Sequence, residues 1–148
     1  VLTDKSLAGR PYAIFFGFTR CPDVCPTTLA RLALLRKKLG ADGDKFDIVF
    51  VSIDPERDRP QDIGAYAEMF GTPIIAATGT DAQLAQIRKG FGVYVKKLPL
   101  DPAKPDGDYT IDHTAGIFLM DARGRLSSII DHHEAEETAL DKLRMLIG

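Results

Sequence analysis

Tryptophan is absent from this sequence of 148 residues, cysteine occurs twice, histidine three times, and no stretch stays apolar for long. Each scarcity excludes something. Without roughly 18 to 20 consecutive apolar residues, no part of the chain reads as a membrane-crossing helix, and Val1-Leu2-Thr3-Asp4 lacks the charged-then-apolar pattern that opens a signal peptide. Nor is there an excess of one charge. The 19 Lys and Arg and 21 Asp and Glu leave a formal net charge of -2, and with both signs mixed along the chain no basic field draws nucleic acid or anionic lipid. The two cysteines stand four positions apart, as Cys21 and Cys25, which suits a redox or metal pair better than a staple for long loops.

What is present describes an ordinary folded domain. Hydrophobic residues make up 45% and charged residues 27%, close to the soluble average and far from the signature of disorder. The length suits one core, and no repeat or linker divides the chain, so residues 1–148 are expected to form a single domain. The start, with no initiator Met and close to a structural element, suggests a fragment of a longer protein.

Periodicity supplies the elements. Tyr12 to Phe18 is an aromatic-rich run with the character of a buried strand, and it leads straight into Thr19-Arg20-Cys21-Pro22-Asp23-Val24-Cys25-Pro26. From Pro26 to Leu39 the leucines at 29, 32, 35 and 39 recur at helical spacing, with Lys37 and Lys38 in the last turn and Gly40 as the stop. Asp47 to Asp54 reads as a central strand, followed by a polar loop flanked by Pro55 and Pro60. Helices are expected at Gln61 to Phe70 and, with Asp81 as N-cap, at Asp81 to Phe91. Tyr94 to Leu98 suits a strand and Pro99 to Tyr109 an exposed loop. Gly116 to Asp121 and Arg125 to Ile130 make a hairpin around Ala122-Arg123-Gly124, and Glu134 to Ile147 a closing amphipathic helix. The order predicts an α/β domain with a mixed sheet between helices.

The chemistry gathers at the cysteines. If the helix has begun by Cys21 or soon after, residues four apart lie on one face with Cβ atoms roughly 5 to 6 Å apart, so both sulfurs reach one soft cation. A helix N-terminus also favours the thiolate. Two thiolates leave zinc short of its usual four ligands, whereas two thiolates and an imidazole suit copper. His113 is the best third donor, because a loop at Asp112-His113-Thr114 can fold back on the first strand-helix junction. His132 and His133 are rivals, although a solvated helix end accounts for them more simply. Bland alternatives stay open. Two such cysteines can be small core residues, a lone histidine can be structural, and Asp54, Glu56, Arg57 and Asp58 read as a solvated loop with local ion pairs. Phe15, Phe16 and Phe18 read as core or pocket lining.

Three motifs taken together, Phe16-Gly17-Phe18-Thr19-Arg20-Cys21-Pro22-Asp23-Val24-Cys25-Pro26, Val51-Ser52-Ile53-Asp54-Pro55-Glu56-Arg57-Asp58 and Asp112-His113-Thr114, closely resemble the SCO/SenC family of copper proteins over nearly the whole chain. The resemblance implies a thioredoxin-like fold in which Cys21, Cys25 and His113 bind Cu(I) or Cu(II), with Asp54 and Asp112 orienting the histidine or tuning the site. It implies a metallochaperone for the dinuclear copper centre of cytochrome c oxidase subunit II, or for another copper donor or acceptor, that delivers copper, reduces the target cysteines, or both. It also implies a monomer in the bacterial periplasm, tethered to the inner membrane by an N-terminal helix, or in the mitochondrial intermembrane space if eukaryotic. That anchor and a first β-hairpin are expected ahead of Val1 in the full-length protein. Two thiolates and a neutral imidazole leave one net negative charge with Cu(I) and none with Cu(II), so both states fit without large buried charge.

The competing class is an enzyme, a thiol-disulfide oxidoreductase or peroxide-reducing relative acting through Cys21 and Cys25. Typical redox members have two residues between the cysteines and a proline facing them. Here three intervene, and the facing segment is Ile111-Asp112-His113-Thr114.

Overall fold

The computed structural model describes residues 9–19, 24–93, 95–99, 102–103, 109–113, 116–131 and 134–148, with backbone alone at 24–26, 95–97, 99 and 109–113. Its centre is β1 (Tyr12–Gly17), in which all six residues are buried, as an apolar run covered on both faces must be. β2 (Asp47–Ser52) lies parallel to it, with Tyr12 opposite Asp47 and Gly17 opposite Ser52. The first helix, α1 (Val24–Lys38), connects the two. It buries Leu29, Leu32 and Leu35 of the predicted leucine stripe, while Leu39 lies just past the helix and is partly buried.

Gly40 ends this helix in the left-handed region with φ +61, and a 3-10 turn at Gly40–Lys45, not anticipated from sequence, leads into β2. Arg36 holds the turn: its Nε donates to the Gly43 carbonyl at 2.8 Å and its Nη2 to the Phe46 carbonyl at 3.1 Å. Gly43 is required by close approach, since a Cβ there would stand 2.4 Å from the Arg36 carbonyl oxygen.

After β2, α2 (Pro60–Glu68) has its proline at the first position, where no N-H is needed. The short β3 (Ile75–Ala77) then joins β2 in parallel. α3 (Asp81–Phe91) has the expected bounds but a different cap. The Thr80 hydroxyl accepts from the Gln83 N-H at 3.2 Å, and the Gln83 side chain accepts from the Thr80 N-H at 3.0 Å. The cap residue must be extended, as Thr80 is with ψ 163, whereas Asp81 is already helical.

β4 (Val95–Pro99) and β5 (Tyr109–His113) form a separate two-stranded antiparallel sheet. This corrects the expectation of a loop through Tyr109 and of a loop at Asp112-His113: both ends of the proline-rich stretch are strand, because backbone pairing absorbs residues whose polarity alone suggests exposure. The expected hairpin is β6 (Ile117–Met120) and β7 (Leu126–Ile130), and α4 (Glu136–Ile147) closes the chain.

The main sheet has five strands in the order β3-β2-β1-β6-β7, with the β3–β2 and β2–β1 pairs parallel and the β1–β6 and β6–β7 pairs antiparallel. One hydrophobic cluster runs through it. Phe15 stacks on Phe50 at 6.3 Å, and Phe16 meets Phe118 edge-on at 6.0 Å and Phe91 at 5.3 Å. The phenylalanines at 15, 16 and 18 are thus core, as expected. α4 buries Ala139, Leu140, Leu143 and Leu146. From its polar side Lys142 donates to the Ile129 carbonyl at 2.7 Å, occupying part of the open β7 edge. No helix among the described residues is long and apolar enough to cross a membrane.

Candidate metal centre

β1 and β2 end side by side, and adjacent parallel strands place their following loops together at the carboxyl end of the sheet, where α/β proteins hold ligands. The pairing extends one step past the strands, with the Ile53 N-H donating to the Gly17 carbonyl at 2.8 Å. Beyond it the β1 chain passes through Phe18 and Thr19 toward the cysteines, and the β2 chain enters Asp54 to Arg59.

A buried polar network joins these two exits. One Asp58 carboxylate oxygen accepts from the Thr19 hydroxyl at 2.5 Å, and the other accepts from the Thr19 N-H at 3.0 Å and the Ser52 hydroxyl at 2.6 Å. The Ser52 oxygen in turn accepts from the Asp54 N-H at 3.2 Å. Asp54 turns the chain, its carbonyl accepting from the N-H groups of Arg57 at 3.3 Å and Asp58 at 2.9 Å. Its carboxylate pairs with Arg57 Nε at 2.5 Å, with the two side chains 1% and 11% exposed. The Arg57 guanidinium lies over the Phe18 ring, 5.9 Å from its centroid.

The expectation of a solvated loop at Asp54, Glu56, Arg57 and Asp58 is therefore corrected. Asp54 and Asp58 are each 1% exposed, and Glu56 alone of the four is open to solvent. Carboxylates leave water at a cost of several kcal/mol unless charge and hydrogen bonds compensate. Here Asp54 has Arg57, and Asp58 has three donors. The local ion pair was legible from spacing, but the partner that buries Asp58 stands 39 residues earlier, where no short window reaches.

The expected ligands are distributed as follows. Cys25 is the second residue of α1, in its first turn. Cys21, and with it the expected shared helical face of the two sulfurs, lies outside the described residues. His113 ends β5 opposite Val95, and Asp112 pairs with Lys96. Thr114, His132 and His133 also lie outside the described residues. The segment holding the last two is bracketed by Arg31 of α1, which donates to the carbonyls of Asp131 and Glu134. Among the described residues no cluster of three metal-ligating side chains forms. The donor types nevertheless suit a soft metal, since thiolate and imidazole are copper ligands by chemistry.

A cysteine in the first turn of the helix that follows the central strand of a mixed five-stranded sheet, with helices around that sheet, defines a thioredoxin-like protein. Comparison with known proteins narrows the class. The SCO1/SenC family model matches residues 1–148, and the chain belongs to that family. It is 35% identical over 143 residues to "Protein SCO2, mitochondrial" of Saccharomyces cerevisiae, covering 96% of this chain and 47% of that protein. The chain thus spans about half the length of the curated relatives it matches. Among solved structures, Bradyrhizobium japonicum ScoI with copper bound superposes with a TM-score of 0.85 at 42% identity, over 98% of this chain and 90% of that one. BsSco, a member of the Sco family of cytochrome c oxidase assembly proteins in which a disulfide switch has been identified, shares the fold. Its TM-score is 0.71 at 23% identity, over 97% of this chain and 83% of that one.

Proposed function

We propose that residues 1–148 act as one copper-carrying domain that binds a single Cu(I) or Cu(II) ion through Cys21, Cys25 and His113 and passes it on for assembly of cytochrome c oxidase. The copper is cargo, and the protein turns over no small substrate. The acceptor on this reading is the dinuclear copper site of subunit II. Asp54 and Asp112 are the groups that orient the ligand set.

The observation that carries the reading is the position of Cys25, in the first turn of α1 beside a junction where Asp58 and Thr19 pin the incoming chain. Family membership and a copper-bound relative at 42% identity support the metal. Mitochondrial relatives support the intermembrane space for eukaryotic members, and by the same reading a bacterial member works in the periplasm, tethered to the inner membrane. A second activity, favoured by the disulfide switch of the distant relative BsSco, is dithiol reduction. In it the Cys21 and Cys25 thiols close a disulfide, and their two electrons and two protons pass to a partner's disulfide, which opens to two thiols.

Titrating the reduced protein with copper under ultraviolet-visible and electron-spin detection tests the proposal. One equivalent is expected, with intense sulfur-to-copper charge transfer in the Cu(II) form. Absence of that band, or a stoichiometry that drops when His132 and His133 are both changed to Ala, sinks the ligand set.

A further inference from the structure

We infer that Asp58 is a positioning residue for the cysteine segment: its buried carboxylate clamps Thr19, two residues before Cys21, and thereby fixes how the two thiols are presented. The inference rests on the copper-dithiol reading and deepens it.

The geometry is specific. Thr19 offers Asp58 both its N-H at 3.0 Å and its hydroxyl at 2.5 Å, and two bonds from one residue to one carboxylate hold its backbone and χ1 together. Asp58 is itself held from three sides. The Ser52 hydroxyl donates to it at 2.6 Å, its own N-H donates to the Asp54 carbonyl at 2.9 Å, and α2 begins two residues later at Pro60. Ser52 belongs to β2 and is fully buried, so the clamp is anchored in the rigid sheet. Parallel pairing has ended by this point: the last bond between the two strand exits is from Ile53 to Gly17. Side-chain bonds from Asp58 thus take over from the ladder and carry its register two residues further, toward Cys21. A carboxylate supplies the acceptors this requires, and the amide of Asn, with one oxygen and one NH₂ group, cannot accept from all three donors.

Presentation of a dithiol is read by the equilibrium in which oxidised glutathione converts the Cys21 and Cys25 thiols to a disulfide. The glutathione S–S bond breaks, a new one forms in the chain, and the two protons pass to the released glutathione thiols. Asp58→Asn is expected to shift this equilibrium constant by about fivefold or more and Thr19→Val by about threefold, because the closure depends on how the thiols are preorganised. Thr19→Ser, which keeps the hydroxyl, should restore the wild-type value. Copper affinity, measured by competition with a chromophoric chelator, should fall in the same order.

Leu146→Ala, a core change in α4, controls for general loss of stability and should leave the glutathione equilibrium unchanged. If Asp58→Asn does not fold, Thr19→Val decides. Folded variants within twofold of wild type overturn the inference, as does a lowered melting temperature with no shift in equilibrium or an equal shift in Leu146→Ala. Failure of wild-type protein to bind copper would overturn the metal reading instead, and the glutathione equilibrium would still test the clamp.

Discussion

The two regions that contribute expected copper donors are built differently. At the end of β1 and β2 the described residues are tied to one another and to the main sheet: Thr19 to Asp58, Asp58 to Ser52, Asp54 to Arg57, and Arg57 over Phe18. The β4–β5 arm carrying His113 is a separate two-stranded sheet, with His113 paired to Val95 and Tyr109 to Pro99. A two-stranded ribbon has little stability of its own, whereas a loop nailed to a five-stranded sheet shares the stability of the core. A site drawing thiolates from the first region and an imidazole from the second would join a sheet-anchored junction to a separate ribbon.

Disturbing the core should produce the largest effect. Phe50, buried at the centre of β2 against Phe15 and Tyr66, loses its packing in Phe50→Ala, with an expected destabilisation of about 3–5 kcal/mol by denaturant melting. Loss of the Thr19 clamp should accompany global unfolding. If the thiol segment loosens well before the sheet melts, the claim that the first region shares the core's stability fails.

On the arm, His113→Ala should leave the melting curve close to wild type while Cu(II) affinity drops about tenfold or more, equivalent to about 1.4 kcal/mol. Unchanged affinity would remove the arm from the site and with it the functional half of the comparison. Thr80→Ala lies outside both regions and breaks the capping box of α3. It should cost about 1 kcal/mol in melting experiments with no change in copper spectra, and a spectral change would mean that the junction is less insulated than its hydrogen bonds suggest.

The smallest effect is expected at the β6–β7 turn. There the Asp121 carboxylate accepts the backbone N-H groups of Arg125 and Arg123, each at 2.9 Å. The Arg125 backbone bond foremost, opposed by desolvation and aided by the Arg123 bond and the Arg125 side chain, holds Asp121 below the ordinary carboxylate range. A folded value below the unfolded one of about 3.9 means that the stabilisation is complete above that pH and disappears as pH falls through the folded value. Asp121→Asn should therefore flatten the acid limb of the stability profile slightly and leave neutral-pH copper binding unchanged. An acid limb of identical slope would refute the assignment.

Much of this organisation is written locally. Tyr12 to Phe18, the leucines of α1 and the DIVFVS run announce themselves through apolar spacing, and the structure has β1, α1 and β2 there within a few residues. Asp81 reads as a cap by residue type, but Thr80 holds that place because its backbone is extended. β5 was hidden by its polar composition, and β3 by its length of three residues, too short for any period to emerge. At the candidate site, Cys25 at a helix start was legible, and so was a turn after β2. The burial of Asp54 and Asp58 was not, because charge in a proline-flanked stretch reads as exposure unless distant partners are known.

The amino-acid sequence alone therefore determined the longer elements, their α/β order and the chemical types of the donors, since these depend on neighbours a few positions apart. Tertiary structure alone decided that a charged loop becomes a buried clamp on the cysteine segment and that His113 stands on a paired strand. Both outcomes depend on groups brought together from distant parts of the chain: a carboxylate can leave water only where folding has already supplied its donors.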